Sequence, residues 1–361
     1  MSPIKPPVPP PTLSGLGRRG FLTGGAALGA GALLSACTGN TQQTDQTQAA
    51  VQNAAASNTK PGKPVTLGFS APAADHGWIL AISTYARAQA KTFEDVTLQA
   101  VEATNDVAVQ ISSVQSLIDR NVDAIVLLPF DGAALTDVAQ QAMAAGIPVV
   151  NLDRIFSTPL AYRTWIGGDN YGMGVSAGNY IAERLKSDGV SNPVIAEVAG
   201  LDDLPLTQER SDGFRDALAN HNFTVNRRVA AEFTVESGEA VTTQMLQGAP
   251  QIDAIWNHDD DQGVGVLAAI ENAGRDEFFL VGGAGSANMM REIKNPDSVV
   301  EATVLYSPSM AADAINLARL IAQGRGMSDL ASPVVPASIT TFSATVTKDN
   351  VDEFMPLGFE S

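Results

Sequence analysis

The clearest candidates for chemistry in this chain are a carboxylate and a guanidinium side by side, Asp153 and Arg154. They end the run Pro148-Val149-Val150-Asn151-Leu152. That run follows a Gly146-Ile147 turn and reads as a strand buried in a parallel sheet. An ionised carboxylate only accepts hydrogen bonds and a guanidinium only donates them, so together they can hold a small polar molecule. In open α/β sheets the crevice beyond the carboxyl ends of the strands is where such molecules bind. The same two residues also read as an ion pair that closes a strand end.

Residues just past the other strands extend the set. The first strand runs out into Ser70-Ala71-Pro72-Ala73-Ala74-Asp75-His76-Gly77-Trp78, and the third into Pro129-Phe130-Asp131. The second half adds Arg210 at the start of a helix, Phe233 after a strand, the run His258-Asp259-Asp260-Asp261, and Tyr306 at the last long strand's end. Aromatic faces mixed with charged hydrogen-bonding groups suit a sugar, whose C–H faces pack on rings while its hydroxyls pair with planar polar groups. Plainer readings stand beside these. Trp78, Phe130 and Phe233 also read as core, and the His258–Asp261 run as a helix cap. The cap is preferred for Asp260 and Asp261, ligand contact for Asp259.

Enzyme and metal chemistry find less material. His76, His258 and Asp259 are the only constellation for a metal site or an extracytoplasmic enzyme, and no paired-histidine helix motif accompanies them. Gly282-Gly283-Ala284-Gly285 and Gly167-Gly168 lack both the Lys-Ser/Thr of a phosphate loop and the spacing of a dinucleotide fingerprint. No Gly-x-Ser-x-Gly elbow occurs. No cofactor, metal or catalytic residue is therefore expected, and the chain reads as a binding protein rather than an enzyme.

The elements that must position these residues alternate regularly from Val65 onward. Strand 65–69, helix 77–93, strand 97–101, a helix carrying Ile111, Val114, Leu117 and Ile118, strand 124–128 and helix 131–145 lead to the Asp153 strand. This is the pattern of a doubly wound parallel sheet. A second such series starts near Ile166-Gly167-Gly168-Asp169-Asn170 and ends with helix 309–323 and an extended segment, 333–347. Two similar α/β halves without a long linker predict two lobes around one cleft.

The amino terminus reads as an address. Gly17-Arg18-Arg19-Gly20-Phe21-Leu22 is a twin-arginine export signature. The apolar run Thr23 to Leu34 behind it is too short for a permanent membrane span. Leu34-Ser35-Ala36-Cys37 resembles the lipobox of bacterial lipoproteins, in which the cysteine carries lipid. Residues 1–36 are thus expected to be a signal peptide, Cys37 the lipidation site, and 37–63 a disordered tether rich in Thr, Gln, Ala and Asn. Cys37 is the only cysteine, so no internal disulfide can form. Losing Lys5, Arg18 and Arg19 with the leader lowers the formal charge by three, from −17 to −20. Such acidity argues against nucleic acid and anionic membrane surfaces as partners.

Taken together, residues 65–347 resemble the ribose- and galactofuranose-binding proteins that feed ABC sugar importers. The resemblance is carried by Val149-Val150-Asn151-Leu152-Asp153-Arg154, Ile166-Gly167-Gly168-Asp169-Asn170, Gln208-Glu209-Arg210-Ser211-Asp212-Gly213-Phe214 and Asn257-His258-Asp259-Asp260. Gly68-Phe69-Ser70 with Gly77-Trp78 is most similar to the galactofuranose branch. The resemblance implies a periplasmic-binding-protein-like fold of type I, two α/β lobes joined by a three-strand hinge. It implies crossings near Gly168-Asp169, Tyr306-Ser307 and Ala337-Ser338, so that 64–168 plus 307–337 form one lobe and 169–306 plus 338–361 the other. It also implies that Asp153, Arg154 and Arg210 bind ligand, that Trp78 is a stacking face, and that Asp259 stands where the family often has Asn. Three positions depart from the ribose-type pattern: Leu128, Ala284 in the family's Gly-Phe-Asp-Gly turn, and Tyr306 in place of Gln. These predict a pocket with an apolar edge at Leu128 and Ala284. The implied function is lipid-anchored capture of a neutral monosaccharide or polyol, by a monomer, for an ABC transporter permease. The alternative within the same fold is a sensor subunit for a chemoreceptor or membrane kinase.

Overall fold

The computed structural model describes residues 58–327 and 335–361. The expected signal peptide, the expected lipidation site Cys37 and most of the expected tether lie outside the described residues.

The first lobe is built from β1 (Val65–Ser70), α1 (Gly77–Lys91), β2 (Val96–Ala100), α2 (Val107–Asp119), β3 (Ala124–Leu127), α3 (Gly132–Ala144), β4 (Val149–Leu152) and β5 (Thr164–Gly168). The second contains α4 (Asn170–Ser187), β6 (Ile195–Ala199), α5 (Pro205–Asn220), β7 (Val225–Ala230), α6 (Val235–Gly248), β8 (Ala254–Asn257), α7 (Asp260–Ala273), β9 (Phe279–Ala284), α8 (Ala287–Lys294) and β10 (Val300–Leu305). The chain then returns through α9 (Met310–Ala322) and β11 (Ser338–Thr341), and ends with β12 (Thr345–Thr347) and α10 (Val351–Phe354).

Each lobe holds a six-stranded sheet, in the orders β11-β5-β4-β3-β1-β2 and β12-β10-β9-β8-β6-β7. All pairings are parallel except β10 with β12. Leaving aside the edge strand, both sheets repeat one doubly wound order, whose switch points lie between β1 and β3 and between β6 and β8. The central strands β3, β4, β6 and β8 are buried along their whole length, as sheets covered on both faces require. One buried apolar cluster runs through both lobes, from Leu67, Val126 and Trp78 to Trp256, Val281 and Tyr306. It makes the lobes neighbours without a long linker.

Helix starts explain how the carboxyl ends are shaped. Asp106, Asp131, Asp169, Thr234, Asp259 and Ser286 each follow a strand or its loop, and each side chain accepts a backbone N–H of the next helix's first turn. Helix α1 has no such bond from its N-cap, His76, and neither do α5, α9 and α10 from Leu204, Ser309 and Asn350.

Three expectations change. Ile166–Gly168, which the strand–helix alternation put at the start of the second series and the resemblance at the end of the first lobe, belongs to β5, the fifth strand of the first sheet, which pairs with β4. Ser338–Thr341 pairs with β5, so the third crossing comes after Thr341, not at Ala337-Ser338. The parallel ladder from Trp165 to Gly168 continues the first sheet's edge and carries the chain four residues further before it leaves. Finally, the last residues of the expected tether are held on the first lobe. Arg319 donates to the carbonyls of Asn58 (2.7 Å) and Lys60 (2.9 Å), and Gln323 to that of Lys63 (2.8 Å). Arg319 is itself buried and paired with Asp95 at 2.7 Å. Backbone carbonyls captured by a guanidinium need no hydrophobic pattern, which is why composition did not mark this segment as ordered.

Candidate functional site

The two switch points face each other, and the side chains that leave them meet. His76, Trp78, Asp153 and Arg154 from the first lobe line one cavity with Arg210, Phe233 and Asp259 from the second and Tyr306 from the crossing between them. Its volume is about 30 Å³, room for a water or two. Ile79 and Leu206 complete the wall; both were overlooked because an apolar residue at a helix start reads as core.

Asp153 sits in the left-handed region, φ 60°, where only a few non-glycine residues are found. The turn is forced by its neighbours: its N–H donates to the Ile166 carbonyl (2.8 Å), and its own carbonyl accepts from the Trp165 indole (2.8 Å). The side chain thereby points at Tyr306, whose hydroxyl donates to Asp153 Oδ1 at 2.5 Å. Burial, then the Asp153 charge, push the Tyr306 phenol far up, so it stays neutral and donates.

Each of the two arginines donates to a backbone carbonyl, and Arg210 also to a side chain. Arg154 donates to the Phe130 carbonyl at 2.6 Å with its guanidinium 5.7 Å from that ring's centre, while its Nε is buried without a partner among the described residues. Burial lowers its pKa, against the opposing pull of Asp153 and Asp75. Arg210 donates from Nε to Asn170 Oδ1 and from Nη1 to the His258 carbonyl, both at 2.9 Å, and lies 4.7 Å from the Tyr306 ring centre. Asn170, which begins α4, is a positioning residue that lies 40 positions from Arg210 in sequence.

Acids gather on the opposite wall. Asp259 caps α7, accepting from Asp261 N–H at 2.9 Å, and burial followed by the Asp261 charge raises its pKa. The cap thus falls to Asp259, while Asp260 and Asp261, expected to cap, reach elsewhere. Asp260 is buried and accepts from Gly283 N–H, Ser286 N–H and the Thr303 hydroxyl. Asp261 crosses between the lobes and accepts from Gly77 N–H and Trp78 N–H, both at 2.9 Å. These are the orphan donors of α1 that His76 leaves uncapped. A side chain on Gly77 would overlap the Glu360 carbonyl and Asp261 itself, so glycine is needed there. His76 pairs with Asp75 at 2.5 Å. Burial opposes its charge, but the Asp75 bond and the nearby Asp259 and Asp261 charges outweigh that and raise its pKa.

Two expected residues are not on the cavity. Phe130 lies beneath Arg154 and presents its carbonyl to it. Ala284 is core, 2% exposed, with φ 87° that turns its carbonyl to the Tyr306 N–H at 3.0 Å. Leu128 is fully buried in the first lobe's packing, its carbonyl held by Gln110. The apolar edge expected at Leu128 and Ala284 is therefore corrected: spacing placed both near strand ends but could not say which way they point. His258 does not meet His76 either. It packs inside the second lobe, 4.2 Å from the Trp256 ring, with Nε2 at 2.9 Å from Glu197 and Nδ1 accepting from Gly200 N–H. Among the described residues no group of three or more histidine, cysteine or carboxylate side chains is arranged to hold a metal.

Residues 67–326 match the periplasmic binding protein domain. The ribose import binding protein of Bacillus subtilis is 30% identical over 254 residues, covering 70% of this chain and 80% of its own. The galactofuranose-binding protein of Escherichia coli is 26% identical over 273 residues, covering 73% and 84%. A Mycobacterium smegmatis structure in complex with β-D-fucofuranose is 27% identical with a TM-score of 0.72, covering 81% of this chain and 94% of that one. With its two doubly wound lobes of type I architecture and a site between them, the chain belongs to the periplasmic binding protein family, alongside ribose- and galactofuranose-binding proteins of the ABC transporter type.

Proposed function

We propose that the protein captures a neutral monosaccharide or polyol between its lobes outside the cytoplasm, held to the membrane through lipid on Cys37, and delivers it to an ABC importer. The observation that carries this reading is the convergence of Asp153, Arg154, Arg210 and Asp259 with Trp78, Phe233 and Tyr306 on one cavity at both switch points. Carboxylates accept from hydroxyls, guanidinium groups donate to them, and rings cover C–H faces. The buried Arg154 Nε is a donor still to be used. At about 30 Å³ the cavity is far below the few hundred Å³ or more of ordinary small-molecule sites. Ligand must therefore enter with the lobes apart, and closure around it is the state offered to a permease.

Calorimetric titration with a panel of neutral sugars and polyols tests the capture. One or more should bind, and should be recovered chemically unchanged. Turnover of the ligand, or no binding across the panel, overturns the reading. Lipid labelling in cells should be lost in Cys37→Ala, and Arg18→Lys with Arg19→Lys should leave precursor inside; unchanged labelling removes the anchor.

A further inference from the structure

One side chain decides how much room the cavity offers. The Tyr306 ring stands between the Arg210 guanidinium, 4.7 Å from its centre, and the Trp78 ring, 5.8 Å away. Its N–H donates to the Ala284 carbonyl (3.0 Å), and its carbonyl accepts from the Trp78 indole (2.9 Å). Gly168 lies against the ring's far edge, where a Cβ would come within 2.0 Å of a ring carbon. Held by its backbone on one side and by packing on the others, the ring is a fixed wall rather than a gate. Its hydroxyl takes one of the two Asp153 oxygens.

We propose that Tyr306 is the specificity-determining residue of this site, and that it restricts the ligand to slender molecules, acyclic polyols of about five carbons or fewer, over pyranose rings. This rests on the capture of a neutral sugar or polyol proposed above. The ring occupies space that a pyranose would need between Trp78 and Arg210. The phenol also occupies Asp153 Oδ1, so the carboxylate cannot freely take an adjacent pair of ligand hydroxyls with one on each oxygen. A flexible carbon chain meets both conditions: it is narrow, and it can turn one hydroxyl to Asp153 and a neighbouring one to Arg154 Nε.

The test is calorimetry with a five-carbon alditol such as ribitol and a ring-locked methyl hexopyranoside, on wild type, Tyr306→Gln and Tyr306→Phe, with thermal melting to confirm folding. Wild type should favour the alditol by at least ~10-fold. Tyr306→Gln should narrow that ratio by about 10-fold or more by admitting the pyranoside. Tyr306→Phe keeps the wall and frees Asp153, so it should change alditol affinity while still excluding the pyranoside. Equal binding of the two ligands by wild type overturns the inference, as does a ratio unmoved in Tyr306→Gln. If that variant fails to fold, Tyr306→Phe decides alone: a pyranoside admitted by loss of the hydroxyl means the ring is not the wall. Wild type that binds no member of a wider neutral panel sinks the capture reading itself, a result distinct from binding with an unmoved ratio.

Discussion

At the scale of single residues, Asp153 illustrates how strain is placed where it is used. A left-handed backbone at a non-glycine residue costs on the order of 1–3 kcal/mol and persists only where its surroundings impose it. Here the bonds to Ile166 and Trp165 do so. Asp153→Ala and Arg154→Ala should each weaken ligand binding at least ~10-fold, since losing a buried charge-assisted bond costs about 1.5–3 kcal/mol. Wild-type affinity in a folded variant would remove that residue from the site. His258 gives a separate, pH-dependent expectation. Burial depresses its pKa from 6.5 to about 4, so it is neutral at pH 7 and its Nε2–H donates to Glu197. Between those two values the unfolded chain binds the proton that the folded one refuses. Stability should therefore fall as pH drops from 6.5 towards 4, by as much as about 3 kcal/mol from this one group. Thermal melting across that window and the imidazole titration by NMR check it; an imidazole titrating near 6.5 in the folded protein counts against it.

At the scale of elements, the decisive contact is the cap that one lobe provides for the other. Helix α1 belongs to the first lobe, yet its first two N–H groups are satisfied by Asp261 at the start of α7 in the second. Replacing a capping carboxylate by alanine costs about 0.5–2 kcal/mol. All of that cost falls on the closed arrangement, because parted lobes cannot form the bond. Asp261→Ala should thus lower ligand affinity by roughly 2- to 30-fold while leaving thermal stability of the ligand-free protein nearly unchanged. Unaltered affinity would show that the cap does not bias closure. Nothing in the local sequence announces this bond, since its partners are 183 and 184 positions apart. Most of the elements were legible. Fully buried parallel strands such as Ala124–Leu127 and Val149–Leu152 must be apolar runs, and those are visible. Ser338–Thr341 was legible only as part of the extended segment 333–347, because an edge strand that alternates between exposed and half-buried, with Ile339 its one apolar residue, carries no such signal. Strand ends told which residues approach the site, but not their direction. That is why Tyr306 and Ala284, either side of one backbone hydrogen bond, were both expected to face ligand and only Tyr306 does.

At the scale of the molecule, the architecture predicts a change of size. Four bonds join the lobes and the crossing around the cavity: two from α1 to Asp261, one from Trp78 to the Tyr306 carbonyl, and one from Tyr306 to Asp153. Ligand stabilises the arrangement that keeps them, so small-angle scattering should give a smaller radius of gyration with saturating ligand than without. An unchanged radius would argue against hinge closure. Stability has a second centre far from the cavity, at the amino edge of the first sheet. Arg319 and Asp95 are 2% and 5% exposed, and breaking such a pair from one side costs about 3–5 kcal/mol. Arg319→Ala should lower the melting temperature and expose residues 58–63 to protease; a segment still protected in that variant would assign its retention to other contacts. The placement of this clasp has a mechanical consequence. Arg319, Gln323 and Asp95 all belong to the first lobe, so tension applied to the chain ahead of Asn58 is taken up there. Such a force would load only the lobe that holds residues 58–63, and not the coordinate that parts the two. The protein can be pulled towards a surface without being pulled open.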